Sequence, residues 1–130
     1  MTSRRHLLAL VALALAAGCG PALAGETMPF TPAAFDAAQK AGKPILVEVS
    51  APWCPICKTQ KPVLAKLAAE PRFKDLVVFD VDFDSRKDVL RQLNARMQST
   101  LIAYKGETEV GRSVGETQPE WIEGLVEKTL

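Results

Sequence analysis

The chain has 130 residues, which is the length of one domain and too short for a multidomain enzyme. Its 16 basic and 15 acidic side chains give a formal net charge of +1. This near-neutral balance does not provide the basic surface that nucleic-acid binding requires, so we expect no nucleic-acid partner.

The first segment of the chain has the composition of an export signal. A short basic stretch, residues 2–6, precedes an apolar run over residues 7–17. At about 11 residues this run is too short to span a membrane, which takes roughly 20. Ala22-Leu23-Ala24 matches the small residues that signal peptidase recognises. The sequence therefore predicts a signal peptide over residues 1–24 and an exported domain, without a membrane span, over residues 25–130.

Two variants of this export prediction stay open. Residues 16–19 resemble a bacterial lipobox in which Cys19 would carry a lipid anchor, although Ala16 stands where leucine is usual. Residues 3–8 resemble a twin-arginine signal. Because the chain has no cofactor motif that would require folding before export, an ordinary basic stretch is favoured over that signal.

Cleavage after Ala24 would leave two cysteines, Cys54 and Cys57, and would remove His6, the one histidine of the sequence. Two thiols cannot complete a structural zinc site, which needs four Cys or His ligands. Without a histidine, neither a Cys-His pair nor a Ser-His-Asp triad can form. We therefore expect no metal and no cofactor in a single chain.

Periodicity and turn residues divide the exported part into helices and strands. In chain order these are a brief strand at 28–30, a helix at 33–40, a strand at 45–50, a helix at 54–68, a strand at 76–83, a helix at 85–94, strands at 100–104 and 108–114, and a helix from 118. Thr31 and Ser85 are predicted helix caps, Pro62 should kink the second helix, and Trp121 belongs to the apolar stripe of the last. The order predicts an α/β layer sandwich with parallel strands first and a hairpin last.

The sequence Cys54-Pro55-Ile56-Cys57 lies between a predicted strand end and a predicted helix start. Unpaired backbone N–H groups and the helix dipole stabilise an anion there, so we expect Cys54 to be a nucleophilic thiolate. Cys57 lies about one turn along the same face, where it can attack a mixed disulfide on Cys54. An inert structural disulfide is the alternative, but so short a loop removes little entropy from the unfolded chain. The pattern favours thiol-disulfide exchange.

With Trp53 before it and Lys58 after it, this motif resembles the active-site segment of the thioredoxin superfamily, and the resemblance covers residues 28–130. It implies a thioredoxin-like three-layer sandwich, in which helices flank a central mixed sheet of four to five strands. It also implies that Glu48 is a buried acid beneath Cys57 and relays a proton to or from that thiol. The alternative for Glu48 is an acid at the end of the sheet that faces water.

The loop at Gln98, Ser99 and Thr100 departs from the family pattern. Thioredoxin-like proteins have a cis-proline beside the cysteines, where this chain has Ser99. A cis bond before serine would cost about 2.5–4 kcal/mol, so we expect the Gln98–Ser99 bond to be trans. Family members pair this loop with the client backbone. Our hypothesis is that the Ser99 hydroxyl contacts the Cys54 thiolate and that Ser99 tunes the choice of partner.

The residues around the cysteines have further expected roles. Trp53 is expected to be a contact surface for partner proteins rather than part of the core. Lys58 is expected to add positive potential near the thiols, the alternative being an ordinary exposed lysine. The spacer, Pro55 and Ile56, lacks the histidine that helps strongly oxidising relatives to stabilise the thiolate, which favours reduction over oxidation.

These observations together predict an exported thiol-disulfide oxidoreductase of a bacterial cell envelope, in the periplasm, that reduces oxidised client proteins. Resemblance to reducing periplasmic thioredoxins implies a membrane electron transporter as the donor. The alternatives are a disulfide-introducing oxidase, a non-catalytic binding module of the same fold, and a metal carrier that uses Cys54 and Cys57 across a dimer.

Overall fold

The computed structural model describes residues 25–130. The predicted signal peptide, including Cys19 and His6, lies outside the described residues. Within the described part, no helix has the length and apolar character needed to cross a membrane.

The helices and strands follow the predicted order. They are β1 (Glu26–Pro29), α1 (Pro32–Lys40), β2 (Pro44–Ser50), α2 (Pro55–Ala68), a short 3₁₀ helix (Pro71–Phe73), β3 (Val77–Asp82), α3 (Lys87–Gln92), β4 (Thr100–Lys105), β5 (Thr108–Val114) and α4 (Pro119–Glu127). The 3₁₀ helix was not predicted. Thr31 caps α1 as expected, since its side chain accepts a hydrogen bond from the backbone N–H of Ala34 at 3.1 Å.

One mixed sheet of five strands, in the order β1-β3-β2-β4-β5, forms the centre of the molecule. β1, β3 and β2 are parallel, whereas β4 runs antiparallel to β2 and pairs with β5 in a hairpin. This arrangement confirms the predicted α/β fold. Because β2 is the middle strand, the residues that follow its carboxyl end emerge at the centre of one edge of the fold.

Each face of the sheet is covered by two helices. Phe35 of α1 and Val89 of α3 pack against Val47 on one face. Leu64 of α2 and Ile122 of α4 belong to a second cluster, which covers the other face of the sheet. Successive residues of a strand point to opposite faces, so β2 contributes to both clusters and is buried along almost all its length.

The first described residue is anchored to the end of α2. The backbone N–H of Gly25 donates to the carbonyl oxygen of Ala68, the last residue of that helix, at 2.6 Å. A Cβ at this position would lie 2.9 Å from the carbonyl oxygen of Phe73, so only glycine fits without movement of the backbone.

Two local expectations differ from the structure. Ser85 does not cap α3, which begins at Lys87 with Arg86 as its N-cap, and the Ser85 hydroxyl donates to Asp82 Oδ2 at 2.7 Å. Trp121 is 67% exposed, since the neighbouring residues of α4 cover the sheet and its side chain projects away from them. Pro62 lies inside α2, which runs on to Ala68, and the kink expected there stays a prediction.

Candidate active site

Cys54 and Cys57 form a disulfide at the point where the chain leaves β2 and enters α2. Cys54 is the N-cap of the helix, and its Sγ accepts a hydrogen bond from the backbone N–H of Cys57 at 3.1 Å. Within the described chain, the first turn of α2 contains no acidic residue that would offset the positive end of the helix dipole. The geometry therefore stabilises negative charge on the Cys54 sulfur once the disulfide is reduced.

Both cysteines are covered by protein in the disulfide state. Cys54 is 1% exposed and Cys57 is fully buried, and they pack with Ala51 and Phe83. The Sγ of Cys57 lies 4.0 Å from the carbonyl oxygen of Val49 in the central strand. Burial alone does not separate the two sulfur atoms; what distinguishes Cys57 is its position against the central strand, whereas Cys54 is the N-cap of α2.

Glu48 lies under α2 and is 3% exposed, so the water-facing alternative is wrong. Its Oε1 accepts a hydrogen bond from Lys61 Nζ at 3.0 Å. Lys61 Nζ also lies 3.9 Å from Asp80 Oδ1, which accepts a hydrogen bond from Ser50 Oγ at 2.9 Å. These contacts form a polar path from the buried carboxylate to the half-exposed lysine at the surface.

Burial and the neighbouring Lys61 shift the pKa of Glu48 in opposite directions. Burial raises the pKa of the Glu48 carboxyl, the hydrogen bond and charge of Lys61 lower that pKa, and the charge of Asp80 raises it again. Lys61 follows Cys57 by four residues in α2, so the two side chains lie on the same helix face. Lys61, the partner of Glu48, thus lies about one helical turn from Cys57, and the proton relay by Glu48 stays a prediction.

Trp53 lies on the surface beside the disulfide, with 54% of it exposed. Its indole Nε1 donates to Asp84 Oδ2 at 2.8 Å, and its ring meets the edge of Phe83 with centroids 6.2 Å apart. Pro55, Ile56 and Lys58 are exposed as well. The side chains next to the cysteines thus form an open surface of mixed apolar and basic character.

The loop before β4 lies against the same part of the central strand. As expected, the Gln98–Ser99 bond is trans, since no cis peptide bond occurs in the described residues. Ser99 has φ of 57°, in the left-handed region, and its N–H donates to the carbonyl oxygen of Val49 at 2.8 Å. Its carbonyl oxygen accepts the N–H of Gly115 at 3.0 Å. Ser99 and Cys57 therefore meet at one carbonyl group.

The Ser99 side chain does not make the expected contact with Cys54. Its hydroxyl donates to the neighbouring carbonyl oxygen of Gln98. The hydroxyl of Thr100 donates to the carbonyl oxygen of Met97 at 2.6 Å. Both hydroxyls thus satisfy the backbone of their own turn, which is why neither is directed at the disulfide.

Sequence reasoning missed two residues of this site, Gln60 and Lys61. Gln60 is fully buried, and its Nε2 donates to the carbonyl oxygens of Ser99 at 3.2 Å and Glu116 at 2.9 Å. A signal for it exists, because Gln60 falls at helical spacing between Cys57 and the buried leucines of α2. No comparable pattern singles out Lys61.

The described residues contain no group of three or more His, Cys, Asp or Glu side chains placed to hold a metal ion.

Comparison with known proteins extends over nearly all of the described chain. The Thioredoxin family model matches residues 26–128. Thioredoxin H2-1 of Oryza sativa subsp. japonica is 33% identical over 96 residues, covering 74% of this chain and 64% of the rice protein. The bifunctional thioredoxin reductase/thioredoxin of Mycobacterium leprae is 37% identical over 93 residues, covering 71% of this chain but 20% of that protein.

Solved structures agree with this assignment. The crystal structure of Trxlp from Edwardsiella tarda EIB202 has 45% sequence identity and a TM-score of 0.75, covering 78% of this chain and 98% of that one. The matched residues include the disulfide at the start of α2 and the whole of the central sheet. The chain therefore belongs to the thioredoxin family, and its Cys54–Cys57 pair makes it a thiol-disulfide oxidoreductase.

Proposed function

We propose that this protein is an exported disulfide reductase, which passes two electrons from Cys54 and Cys57 to oxidised proteins of a bacterial cell envelope. The observation that carries the proposal is the placement of Cys54 as N-cap of α2, with Cys57 enclosed behind it. The predicted signal peptide over residues 1–24 supports export.

The reaction proceeds by two exchanges. The Cys54 thiolate attacks one sulfur of the client disulfide, forming a mixed disulfide, and the other client sulfur leaves as a thiolate that takes up a proton. Cys57 then loses its proton and attacks the Cys54 sulfur, which releases the second client thiolate. The client gains two electrons and two protons, and Cys54 and Cys57 end as the disulfide seen in the structure.

Glu48 is the group that supports the second exchange in this proposal. It is buried under α2, the helix that carries Cys57, and is linked to the surface through Lys61. As a carboxylate it accepts the Cys57 proton, directly or through a water. We expect Glu48→Gln to slow the release of client from the mixed disulfide by at least about tenfold, since general-base catalysis contributes at least that much. Single-turnover measurements with acid quenching separate this step from the first attack.

The direction of electron flow is supported by the spacer between the cysteines, which contains no histidine. The reduction potential of the Cys54–Cys57 pair, measured by equilibration in thiol buffers and trapping of free thiols, tests it. A potential at or below about −220 mV is expected for a reductase. A potential between about −180 and −120 mV would instead assign the protein as an oxidase or isomerase.

Catalysis itself is tested by the reduction of insulin disulfides. The wild type is expected to reduce insulin, whereas Cys54→Ser, which keeps the fold but lacks the nucleophile, is expected to be inactive. Equal rates for the two proteins would refute the enzymatic proposal and leave the binding module. Metal analysis of anaerobically purified protein tests the carrier alternative.

The electron donor depends on the compartment. The membrane electron transporter was predicted from the resemblance to periplasmic thioredoxins, and the relatives reported above do not support it, since one of them carries thioredoxin reductase in its name. Re-reduction of the oxidised protein by a soluble thioredoxin reductase would assign that class of donor. Re-reduction only by membranes of the exporting cell would assign a membrane donor.

Export is tested by the mature N-terminus. Fractionation of the producing cell followed by N-terminal sequencing is expected to find the protein outside the cytoplasm and beginning at Gly25. A lipid-modified N-terminus at Cys19 would select the lipoprotein variant of the proposal. An intact Met1 in the cytoplasm would contradict export altogether.

A further inference from the structure

A pocket of about 500 Å³ lies between α3 and the chain that follows it. Three cationic side chains line it, Lys87, Arg91 and Arg96, and no acidic residue does. Asn94 adds an amide to the same wall. The pocket therefore presents several hydrogen-bond donors and a concentrated positive charge.

None of the three cations forms a salt bridge within residues 25–130, whereas Arg86 and Arg112 each pair with an acidic side chain. All three are exposed. The head group of Lys87 lies over the face of the Phe83 ring, with Nζ 3.6 Å from the centroid, and its charge also helps to lower the pKa of the Asp82 carboxyl.

The acidic residues nearest in sequence are already engaged. Asp88 pairs with Arg86, Asp84 accepts the indole N–H of Trp53, and Asp82 accepts the hydroxyl of Ser85. An anion that enters the pocket therefore meets donors that lack a partner within the described chain. Two of them are arginines, whose planar guanidinium groups bind carboxylates in a bidentate manner.

The pocket shares a wall with the redox site. Phe83 lines the pocket, packs against the cluster that contains Cys54 and Cys57, and meets the ring of Trp53. On the other side, Arg96 precedes Ser99 by three residues, and the Ser99 backbone bonds to the strand beside Cys57. The pocket with its three cations and the disulfide therefore both border the same side chain, Phe83.

We propose that this pocket binds an acidic segment, rich in aspartate or glutamate, that flanks the disulfide of the client protein. The proposal rests on the reductase function and adds the class of client: Lys87, Arg91 and Arg96 select it by charge, while the cysteines perform the exchange. The cations act on the encounter and docking of the client, so they change the second-order rate and not the sulfur chemistry.

Two synthetic peptides test the proposal. Both contain the same intrachain disulfide, and they differ only in carrying glutamate or glutamine at the flanking positions. The second-order rate of their reduction is measured with the pre-reduced protein at low salt. We expect the wild type to reduce the glutamate peptide about tenfold faster than the glutamine peptide, a typical effect of charge steering. This preference should disappear at about 0.5 M salt, where the screening length falls below the dimensions of the pocket.

Two triple variants of equal net charge separate the pocket from the overall charge. The test variant is Lys87→Gln, Arg91→Gln and Arg96→Gln, and the control variant is Lys66→Gln, Lys74→Gln and Lys105→Gln, which replaces exposed lysines elsewhere. The test variant is expected to lose the preference for the glutamate peptide but to keep the wild-type rate on the glutamine peptide. The control variant is expected to keep both.

The other outcomes would count against either the pocket proposal or the reductase function. Equal rates of the wild type on both peptides, or the same preference in both triple variants, would overturn the pocket proposal while the reductase function stands. A wild type that reduces neither peptide and has no activity on insulin would overturn the reductase function instead. Loss of the rate on the glutamine peptide in the test variant would show that these residues serve the chemistry or the fold, against the proposal.

Discussion

The ion pair with Lys61 lowers the pKa that burial gives to the Glu48 carboxyl. An isolated buried carboxylate costs several kcal/mol, so the ion pair with Lys61 at 3.0 Å is what allows Glu48 to ionise in the folded protein. Because Lys61 is 48% exposed, it remains hydrated while it holds the buried acid. Burial thus raises the pKa of the Glu48 carboxyl, and the charge and hydrogen bond of Lys61 act against that rise.

Replacing the cation tests this balance. In Lys61→Met the pKa of Glu48 is expected to rise further, because the lysine lowers it and nothing else in the described site does. The acid limb of the pH–rate profile for client reduction should then move to higher pH. Lys66→Met, on the exposed side of the same helix, is the control and should leave the profile in place. Identical profiles for Lys61→Met and the wild type would separate Glu48 from the rate-limiting step.

Glu48 also makes stability depend on pH. Its pKa in the folded protein lies above its ordinary value, so the folded state binds the proton more tightly than the unfolded state does. The contribution of Glu48 is therefore fully favourable below the ordinary glutamate pKa, and it is lost as the pH rises through the folded-state value. In Glu48→Gln this loss is absent, so denaturant titrations at several pH values should show the variant gaining on the wild type as the pH increases. A constant difference would contradict the direction of the pKa shift.

At the scale of elements, the loop before β4 holds Ser99, which the resemblance places at the family's cis-proline position, in an uncommon backbone conformation. The peptide bond before Ser99 is trans, and Ser99 has φ of 57°. Three hydrogen bonds hold its backbone: its N–H donates to Val49, and its carbonyl oxygen accepts from the N–H of Gly115 and from the side chain of Gln60. A left-handed residue other than glycine costs about 1–2 kcal/mol. The hydrogen bonds offset that cost and keep the loop against the strand that carries the redox site.

Proline at position 99 is therefore expected to destabilise the folded protein. In Ser99→Pro the ring would force φ to about −65° and remove the N–H that donates to Val49, with an expected loss of about 3 kcal/mol in the free energy of unfolding. Ser99→Gly accepts the left-handed conformation and should stay within about 1 kcal/mol of the wild type. Denaturant unfolding of the oxidised proteins gives both values. A proline variant as stable as the wild type would show that the loop takes another conformation.

The elements themselves were predictable because local signals and burial agree. Thr31 before Pro32 and the β-branched run of β2 each specify one structure, and each was predicted correctly. The cap at Ser85 was wrong because α3 begins only at Lys87 with Arg86 as its N-cap, while Ser85 belongs to the preceding turn and donates to Asp82. The helical spacing of Gln60 indicates that it is buried but does not predict its partners. The contacts of Gln60 and Lys61 run from α2 to a loop and to a strand, which the sequence of α2 alone does not specify.

At the scale of the whole molecule, the two apolar clusters extend over most of the described chain. Their buried members begin at Phe30 and end at Val126, and the five strands join both clusters through shared backbone. A domain of this size buries enough surface to be stable on its own. The site depends on the same framework, since its parts come from β2, α2, the loop before β4 and the chain after β5.

We therefore expect residues 25–130, produced without the leader, to fold cooperatively and to reduce insulin. The midpoint of thermal unfolding should lie within about 4 °C of that of the full chain, equivalent to less than about 1 kcal/mol. Calorimetry of the two oxidised proteins provides the comparison. A broad or non-cooperative transition of the shorter protein would show that the first 24 residues contribute to the fold.

The contact between Gly25 and Ala68 would give the proposed cleavage after Ala24 a physical role of its own. Ala68 is the last residue of α2, and the carbonyl groups at the end of a helix attract positive charge. Cleavage after Ala24 would turn the amide at Gly25 into a charged amino terminus, 2.6 Å from that carbonyl oxygen. The cut would thus create a new electrostatic cap on the helix whose opposite end holds Cys54. Processing by the peptidase would not merely release the domain; it would strengthen the element on which the redox chemistry is built.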